Sequence, residues 1–363
     1  MRISFFRLWH QLTVELGKVV VDEEFIKSLD LNEFYENFIW DFEHRINPLQ
    51  LVEIVIPVAK YIFVRKDKES AYEFLKKIEK TVCKDKAAVV RVWTGQIELR
   101  LMHKDKADRC VDIQIIRKLI EETQEKIDEL QGVTPVHAPF YKVSSTYLKE
   151  IGNYAAYYRE ALRYLGCENP DNLSQTEKQL QAVLLGFAAM LGNDVYNFGE
   201  LLAHPILKSL ENTQEKWIID VLYAFNCGDL KTFRRYKNQW CEWEDLQKHQ
   251  MFLEEKIRLL ALMEIAWARP SKERFIPFSE VAERAEIDFD KVEFLVMKAL
   301  SKNLVTGSID QVNQLINIAW VQPRVLSKEQ IMAMNDRIGM WCSEVEAMQT
   351  LVRENAEAIL ISV

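Results

Sequence analysis

Residues 304–326, LVTGSIDQVNQLINIAWVQPRVL, form the part of the chain in which apolar and polar side chains alternate most clearly. The alternation runs from Leu304 to Ile309 and again from Leu315 to Val321, with a polar turn between the two segments. A period of two is typical of a β-strand, and two adjacent strands joined by a short turn form an antiparallel pair. We therefore predict a β-hairpin near the end of the chain.

The segments that precede the hairpin predict the rest of a small domain. Two helical patterns lie near Ser279 to Ala285 and near Asp290 to Lys302, and a short strand is predicted at Phe275 to Pro277. Strand, helix, helix and hairpin is the element order of a winged helix, in which the hairpin is the wing. The predicted winged helix spans residues 269–326.

Upstream of the winged helix, apolar residues recur at steps of three and four, which is the period of an amphipathic helix. Pro48 at a helix start, the capping-box spacing of Ser174 and Glu177, and Gly228 after a helix end mark boundaries between short helices. Short loops between such helices favour antiparallel neighbours. We predict a mainly α fold, with a right-handed array of helical hairpins followed by a small winged-helix module and a long C-terminal helix.

This pattern divides the chain into four predicted regions. The segment Gln131 to Tyr141 contains two prolines and a glycine and is the clearest joint within the helical part. The regions are an N-terminal helical-repeat region at 1–135, the helical part of the next domain at 136–268, the winged helix at 269–326 and a C-terminal bundle helix at 327–363.

The C-terminal segment predicts one long helix with an apolar seam, which begins after the capping-box spacing of Ser327 and Gln330. Apolar residues repeat every seven positions, and a second series lies three positions later, as in helices that pack along other helices. The helix either folds back on its own domain or packs against partner helices, and the regular seam favours partner helices. The seam consists of Ile331, Met334, Ile338, Trp341, Val345, Met348, Val352 and Ile359, and Asn355 interrupts it.

Charge and composition argue against nucleic-acid binding by the winged helix. The 363-residue chain has a formal net charge of −8, and residues 304–322 contain no lysine or arginine, whereas phosphate binding needs basic side chains. Helical spacing leaves apolar Phe294 and Met297 outside the buried stripe of the second predicted helix, where a groove-reading helix needs polar groups. A sheet edge offered to another protein is favoured. The predicted contact residues are Phe294, Met297, Val305, Ile309, Ile316 and Ile318.

The sequence contains no recognisable catalytic, cofactor or metal motif. Neither phosphate-binding glycine pattern occurs among the eleven glycines, and zinc-peptidase and nucleophile-elbow motifs are missing. The six histidines are isolated, and His103 and Cys110 supply two metal ligands at most. The six cysteines lie far apart, as in a reducing compartment, and no apolar run reaches membrane-spanning length. We predict no enzyme activity, no cofactor, no small-molecule substrate and no membrane contact.

Six of the twelve tyrosines lie between Tyr141 and Tyr164. Such a cluster forms either a groove for a stacked ligand or peptide, or a packing surface between helices. The small residues Ala155, Ala156 and Ala161 favour helix packing, because they let a partner helix approach the rings.

The predicted element order resembles that of PCI-domain proteins, in which helical hairpins precede a winged helix and a terminal helix. Within this group the chain resembles the PCI-domain non-ATPase subunits of the 26S proteasome lid, the family of regulatory subunit thirteen. The resemblance covers nearly the whole chain and is weaker between about Arg65 and Glu129. It rests on the segments RLWHQLTVEL, FYENFIWDFEHRINPLQLVEIV, YYREALRYLGC, VYNFGELLAHPIL, WIIDVLYAFNCGDL, VEFLVMKALSKNLVTGSIDQV and WVQPRVL.

The resemblance implies a non-catalytic structural subunit of the cytoplasm and nucleus, which supports lid assembly and the ATP-dependent degradation of ubiquitylated proteins. The implied partners are other PCI subunits of the lid. The hairpin at Leu304 to Val321 would pair edge to edge with a neighbouring winged helix, and the helix at Ile331 to Ile359 would join a helical bundle. Two alternatives stay open: a PCI scaffold of another complex, such as the COP9 signalosome or a translation initiation factor, and a nucleic-acid-binding winged-helix protein.

Overall fold

The structure is a computed structural model, and it divides the chain into two compact units, Met1–Asp194 (unit 1) and Val195–Val363 (unit 2). The four predicted regions are a different division, and they stay a prediction. The predicted joint at Gln131 to Tyr141 lies inside unit 1. The helix that begins at His137 packs against helices that precede the joint and against the helix that follows it. The structure describes residues 11–13, 15–17, 30–65, 67–104, 110–169, 173–270, 274–325 and 328–360.

Unit 1 consists of helices that pack against their neighbours along the chain, as the predicted helical hairpins require. Residues 11–13 and 15–17 are helical. The helix at Leu31–Phe34 is continued by a π-helical turn at Tyr35–Ile39 and a 3-10 segment at Trp40–Arg45. The described helices are α1 (Leu31–Phe34), α2 (Pro48–Arg65), α3 (Lys68–Val82), α4 (Lys86–Met102), α5 (Ile113–Asp128), α6 (His137–Ile151), α7 (Tyr154–Cys167) and α8 (Gln175–Leu191).

The centre of unit 1 is α4, which packs against α2, α3, α5 and α6. Its one buried arginine, Arg91, donates hydrogen bonds to both carboxylate oxygens of Glu53, at 2.6 and 3.1 Å, and to Glu98 at 3.2 Å. A buried guanidinium is tolerated because it is paired in this way. The capping box predicted at Ser174 and Glu177 is present at the start of α8.

The tyrosine cluster serves helix packing. Tyr147 on α6 and three tyrosines of α7, Tyr157, Tyr158 and Tyr164, are buried between helices. Burial raises the pKa of Tyr157 to about 12, because its hydroxyl loses the solvation that the ionised form needs. The packing interpretation is therefore confirmed for these four rings.

Unit 2 is built around a long helix, α14 (Gln250–Ala268), that contacts the preceding helices, the two winged-helix helices and the sheet. Two 3-10 segments, Pro205–Leu210 and Phe289–Lys291, connect helices. The other elements are α9 (Gly199–Ala203), α10 (Lys216–Cys227), α11 (Leu230–Arg235), α12 (Lys237–Trp240), α13 (Glu244–Lys248), β1 (Phe275–Pro277), α15 (Phe278–Ala285), α16 (Val292–Ser301), β2 (Val305–Asp310), β3 (Leu315–Val321) and α17 (Lys328–Leu360).

The predicted winged helix is confirmed. The strands form an antiparallel sheet in the order β1-β3-β2, with Ile276 opposite Ile316 and Val305 opposite Val321. The register shifts between Thr306 and Gly307, where the strands approach so closely that a Cβ on Gly307 would lie 2.1 Å from the Asn317 carbonyl oxygen. Glycine is therefore required at this point of the wing.

Gly228 ends α10 in the left-handed conformation, as the sequence predicts, with φ of 66°. A Cβ at this position would lie 2.4 Å from Cα of Ala261 on α14. Gly152 ends α6 with φ of 80° but has open space around it. The two glycines thus share backbone strain, and Gly228 alone also faces a close neighbouring backbone.

We expect Gly228→Ala to destabilise unit 2 by roughly 3 kcal/mol or more, because left-handed strain and overpacking add. The matched variant Gly152→Ala should lower the free energy of unfolding of unit 1 by only about 1 kcal/mol, because left-handed backbone strain is the only penalty at that position. Amide hydrogen exchange of the unit that contains each glycine measures both values. Equal losses for the two variants would contradict the close approach of α10 and α14.

Candidate functional site

The outer strand of the hairpin, β2, is an edge of the sheet, because β3 is its one neighbour among the described strands. Its central residues Thr306, Gly307 and Ser308 are exposed. An edge strand presents backbone N–H and C=O groups that can pair with a strand of another chain. Lysine and proline, which protect edges against such pairing, do not occur between Val305 and Asp310.

The hairpin side chains that were predicted to contact a partner all lie on the inner face of the sheet, with Ile309 opposite Ile316. Val305, Ile316 and Ile318 are each 1% exposed and form part of the winged-helix core, where β2 contacts α16 and β3 contacts α14. Their contact role is therefore corrected: the apolar row of a one-sided sheet faces its own domain. Ile309 is half-buried. Any pairing at this edge must use the backbone of β2.

The hairpin turn has its own hydrogen bonds. Asp310 accepts from the backbone N–H of Asn313 at 3.0 Å and from its side-chain amide at 2.7 Å. These two bonds hold the pKa of Asp310 below its usual range, because they stabilise the ionised carboxylate. Val312 at the tip is almost fully exposed. Val312 was not among the predicted contact residues, although an apolar residue inside a polar turn was a visible signal.

The outer face of α16 is apolar, as predicted. Phe294 is 71% exposed and Met297 is 52% exposed, whereas the stripe that faces the core is buried. An exposed phenylalanine beside an exposed methionine is a surface typical of protein contacts. The residues of the buried stripe are Val292, Leu295, Val296 and Ala299.

The lysines of this helix region already have partners inside the protein. Lys291 forms an ion pair with Asp288 at 2.5 Å, and Lys298 forms one with Glu255. The ammonium group of Lys302 lies 5.6 Å from the centre of the Tyr196 ring. A helix that binds DNA phosphates needs cations that are free to contact them, so this surface does not favour nucleic acid.

The outer face of the sheet carries two aromatic residues that were not among the predicted contact residues. Phe275 on β1 and Trp320 on β3 are both about half exposed. Trp320 lies opposite Thr306 of β2, so this indole borders the edge strand. The period-two alternation did not contain this signal for Trp320, because strict alternation places it on the same face as the buried Ile316 and Ile318. The register shift opposite Thr306 and Gly307 turns Trp320 outward.

The C-terminal helix α17 exposes its seam. Every side chain from residue 331 to residue 353 is exposed, on all faces of the helix. Along that stretch no side chain packs into the fold, so the fold-back alternative has no support there. Ile359 lies where side chains are not described, and Met332, Met340 and Leu351 add exposed apolar surface beside the seam. The described contact residues, each between 50% and 66% exposed, are Ile331, Ile338, Trp341, Val345, Met348 and Val352.

Groups typical of catalysis or metal binding do not converge in the described parts of the chain. Among the described residues no three histidine, cysteine or carboxylate groups could hold a metal ion together. His103 lies 3.6 Å from Asp112, and the thiol of Cys110 instead donates to the Leu101 carbonyl. No helix in the described ranges is long and apolar enough to cross a membrane.

Comparisons with known proteins agree with this architecture. The chain matches the family model "PSD13 N-terminal repeats" over residues 5–222 and the PCI domain model over residues 233–320. It is 36% identical to 26S proteasome non-ATPase regulatory subunit 13 of Dictyostelium discoideum, over 96% of this chain and 90% of that protein. Homolog A of the same subunit in Arabidopsis thaliana is also 36% identical, over 97% of this chain and 90% of the relative.

A more distant similarity reaches another PCI protein. Eukaryotic translation initiation factor 3 subunit M of Dictyostelium discoideum is 25% identical over 50% of this chain and 45% of its own length. The match to the proteasome subunits is stronger and extends over almost twice as much of the chain. The repeats, the PCI domain and the near-full-length identity agree: the chain belongs to the family of 26S proteasome non-ATPase regulatory subunit 13.

Proposed function

We propose that this chain is a non-catalytic structural subunit of the 26S proteasome regulatory particle lid, and that it supports assembly and thereby ATP-dependent degradation of ubiquitylated proteins. The observation that carries the proposal is the seam of α17, whose apolar side chains are exposed over residues 331–353. A regular apolar seam gains stability when other helices cover it. The names of the relatives, which are proteasome regulatory subunits, support the lid as the source of those helices.

The second supporting feature is the open edge of β2. Edge pairing between winged helices requires an accessible strand without lysine or proline, and β2 fits that requirement. The exposed Phe294 and Met297 on α16 provide another surface for the same class of partner. The proposed partners are therefore other PCI subunits of the lid, with contact through the β2 edge, the outer face of α16 and the α17 seam.

Two further parts of the proposal rest on the family, and the same comparisons weigh against one alternative. The relatives are named non-ATPase regulatory subunits, which supports a role without catalysis. Residence in the cytoplasm and nucleus is proposed on the same basis. A scaffold in a different PCI complex is less well supported, because the initiation-factor relative matches only 50% of the chain.

Purification from the native cells tests the assignment. A tagged copy of this chain should copurify with a megadalton assembly that has ATP-dependent peptidase activity. A smaller assembly without peptidase activity would contradict a proteasome role, and a lone chain that retains nucleic acid would contradict a scaffold role.

We expect the double substitution Trp341→Glu and Val345→Lys to reduce incorporation into the assembly at least tenfold. It places two charges inside the seam, while the Glu and Lys at i and i+4 maintain helix stability. Quantitative mass spectrometry of the purified assembly measures incorporation, and circular dichroism of the free chain checks that α17 stays helical.

The matched control is Ser343→Glu with Thr350→Lys, which adds the same charges to exposed polar positions outside the seam. This control should incorporate normally. If both variants incorporate like the wild type, the seam is not a contact surface. If both fail equally, the loss comes from charge on the helix and not from the seam.

The β2 edge has its own test, with lysines on β2 compared with lysines on the central strand β3. Thr306→Lys with Ser308→Lys should weaken incorporation, because lysines on an edge strand oppose strand addition. Asn317→Lys with Ala319→Lys adds the same charge to exposed positions of β3 and should have a smaller effect. A larger loss from the β3 variant, measured by the same mass spectrometry, would show that partners contact the sheet face and not its edge.

A further inference from the structure

The chain leaves the winged helix through a short connection that packs tightly into unit 2. Residues 322–325, here called the strap, lie between the end of β3 at Val321 and the start of α17 at Lys328. The strap has the sequence Gln-Pro-Arg-Val, and its arginine, Arg324, has a side chain only 6% exposed.

Arg324 fixes the strap to two helices of unit 2. Its Nη1 donates to the Asn226 carbonyl at 3.0 Å and to the Glu264 carboxylate at 2.5 Å, and its Nη2 donates to the Leu260 carbonyl at 3.3 Å. Asn226 lies in the last turn of α10, where the helix dipole favours a cation. Burial lowers the pKa of Arg324 and Glu264 acts in the opposite sense, so the guanidinium stays charged and paired.

The residues beside Arg324 are also held in place. The backbone N–H of Gln322 donates to the Leu304 carbonyl at 2.9 Å, which extends the pairing beyond the end of the hairpin. The backbone N–H of Val325 lies 3.5 Å from the Asn197 side-chain oxygen. Gly199 leaves room for Val325, since a Cβ on Gly199 would lie 2.4 Å from the valine Cβ. Both ends of the strap therefore have a defined position on unit 2.

We infer that Arg324 is a positioning residue for assembly: it fixes the point from which α17 leaves the domain, so that the β2 edge and the α17 seam engage one assembly together. The inference rests on the proposed function. Two contacts on one chain reinforce each other only when the connection between them holds the second contact near its partner once the first has formed.

The number of Cα-to-Cα steps between the last residue held by unit 2 and the start of α17 gives the size of the effect. With the strap fixed, three Cα-to-Cα steps lead from Val325 to Lys328, and they span at most about 11 Å. With the strap released, seven such steps lead from Val321 to Lys328, and they span at most about 25 Å. The effective concentration of the seam near its partner should fall about fourfold for a flexible chain, and about twelvefold if the accessible volume grows with the full reach.

The test compares two ways of lengthening the connection between the fixed part of unit 2 and α17. Arg324→Met removes the three hydrogen bonds, one of which is also the ion pair with Glu264. Insertion of Gly-Ser-Gly-Ser directly after Val325 leaves every Arg324 contact in place and also puts seven Cα-to-Cα steps between Val325 and Lys328. Arg258→Met is the matched control, because Arg258 pairs with Glu254 on α14 at 3.4 Å and is part-buried without touching the strap.

Each variant is expressed in its native cells beside a differently tagged wild-type copy, and both are counted in the purified assembly by mass spectrometry. We expect Arg324→Met and the insertion to be under-represented by about fourfold to twelvefold, and Arg258→Met to match the wild type. The insertion variant distinguishes two roles of Arg324, positioning α17 and stabilising unit 2. If Arg324 only stabilises unit 2, the insertion variant keeps all Arg324 contacts and should reach full occupancy in the assembly.

Full occupancy of the insertion variant therefore overturns the inference, whatever Arg324→Met does. The tagged wild-type copy reports on the proposed function in the same preparation. Its absence from the assembly overturns the proposed function and the inference together, whereas its presence beside full occupancy of the insertion variant overturns the inference alone.

Discussion

The packing of the hairpin's inner row against α14 and α16 is the interaction on which the functional surfaces of this protein depend. Val305, Ile316 and Ile318 are almost completely buried there, and full burial of each such side chain contributes roughly 1.5 to 3 kcal/mol. Because this row faces inward, the hairpin is held by its side chains while the backbone edge of β2 stays open. The same packing fixes the outward direction of Phe294 and Met297 on α16 and places the strap at the end of β3.

Two kinds of contact surface result, and they differ in physical character. The β2 edge offers directional backbone hydrogen bonds, which specify strand register but contribute little apolar area. The α17 seam offers apolar area along a helix, which contributes affinity when it is covered. The Arg324 contacts lie along the chain between the two surfaces. The subunit can therefore combine a defined strand register at the β2 edge with burial of apolar side chains at the α17 seam.

Much of this architecture is predictable from sequence, because the decisive signals are local. The period-two alternation between Leu304 and Val321 predicts the hairpin, the glycine at Gly228 predicts the end of α10, and the sevenfold repeat after Ile331 predicts α17. The surface that covers the apolar side chains of the hairpin was harder to predict. An apolar row shows that one face of a sheet is buried, but not whether its own domain or a partner covers that face, and the contact role assigned to Val305, Ile316 and Ile318 was wrong for this reason.

The strap was beyond sequence reasoning for another reason. Arg324 contacts groups on residues 226, 260 and 264, which are separated from it by 98, 64 and 60 positions along the chain. Periodicity describes neighbours within one element and carries no information on such distant pairs. The division into two units at Asp194 likewise depends on contacts between helices, whereas the prolines and glycine between Gln131 and Tyr141 mark only a local loop.

The central claim is that the β2 edge and the α17 seam become covered in one assembly. Amide hydrogen exchange, compared between the free chain and the purified assembly, measures this most directly. The account predicts slower exchange at residues 305–310 and along α17 in the assembly, and unchanged exchange on the exposed acidic face of α5 around Glu121 and Glu125. Unchanged exchange at both β2 and α17 in an assembly that contains the chain would contradict it.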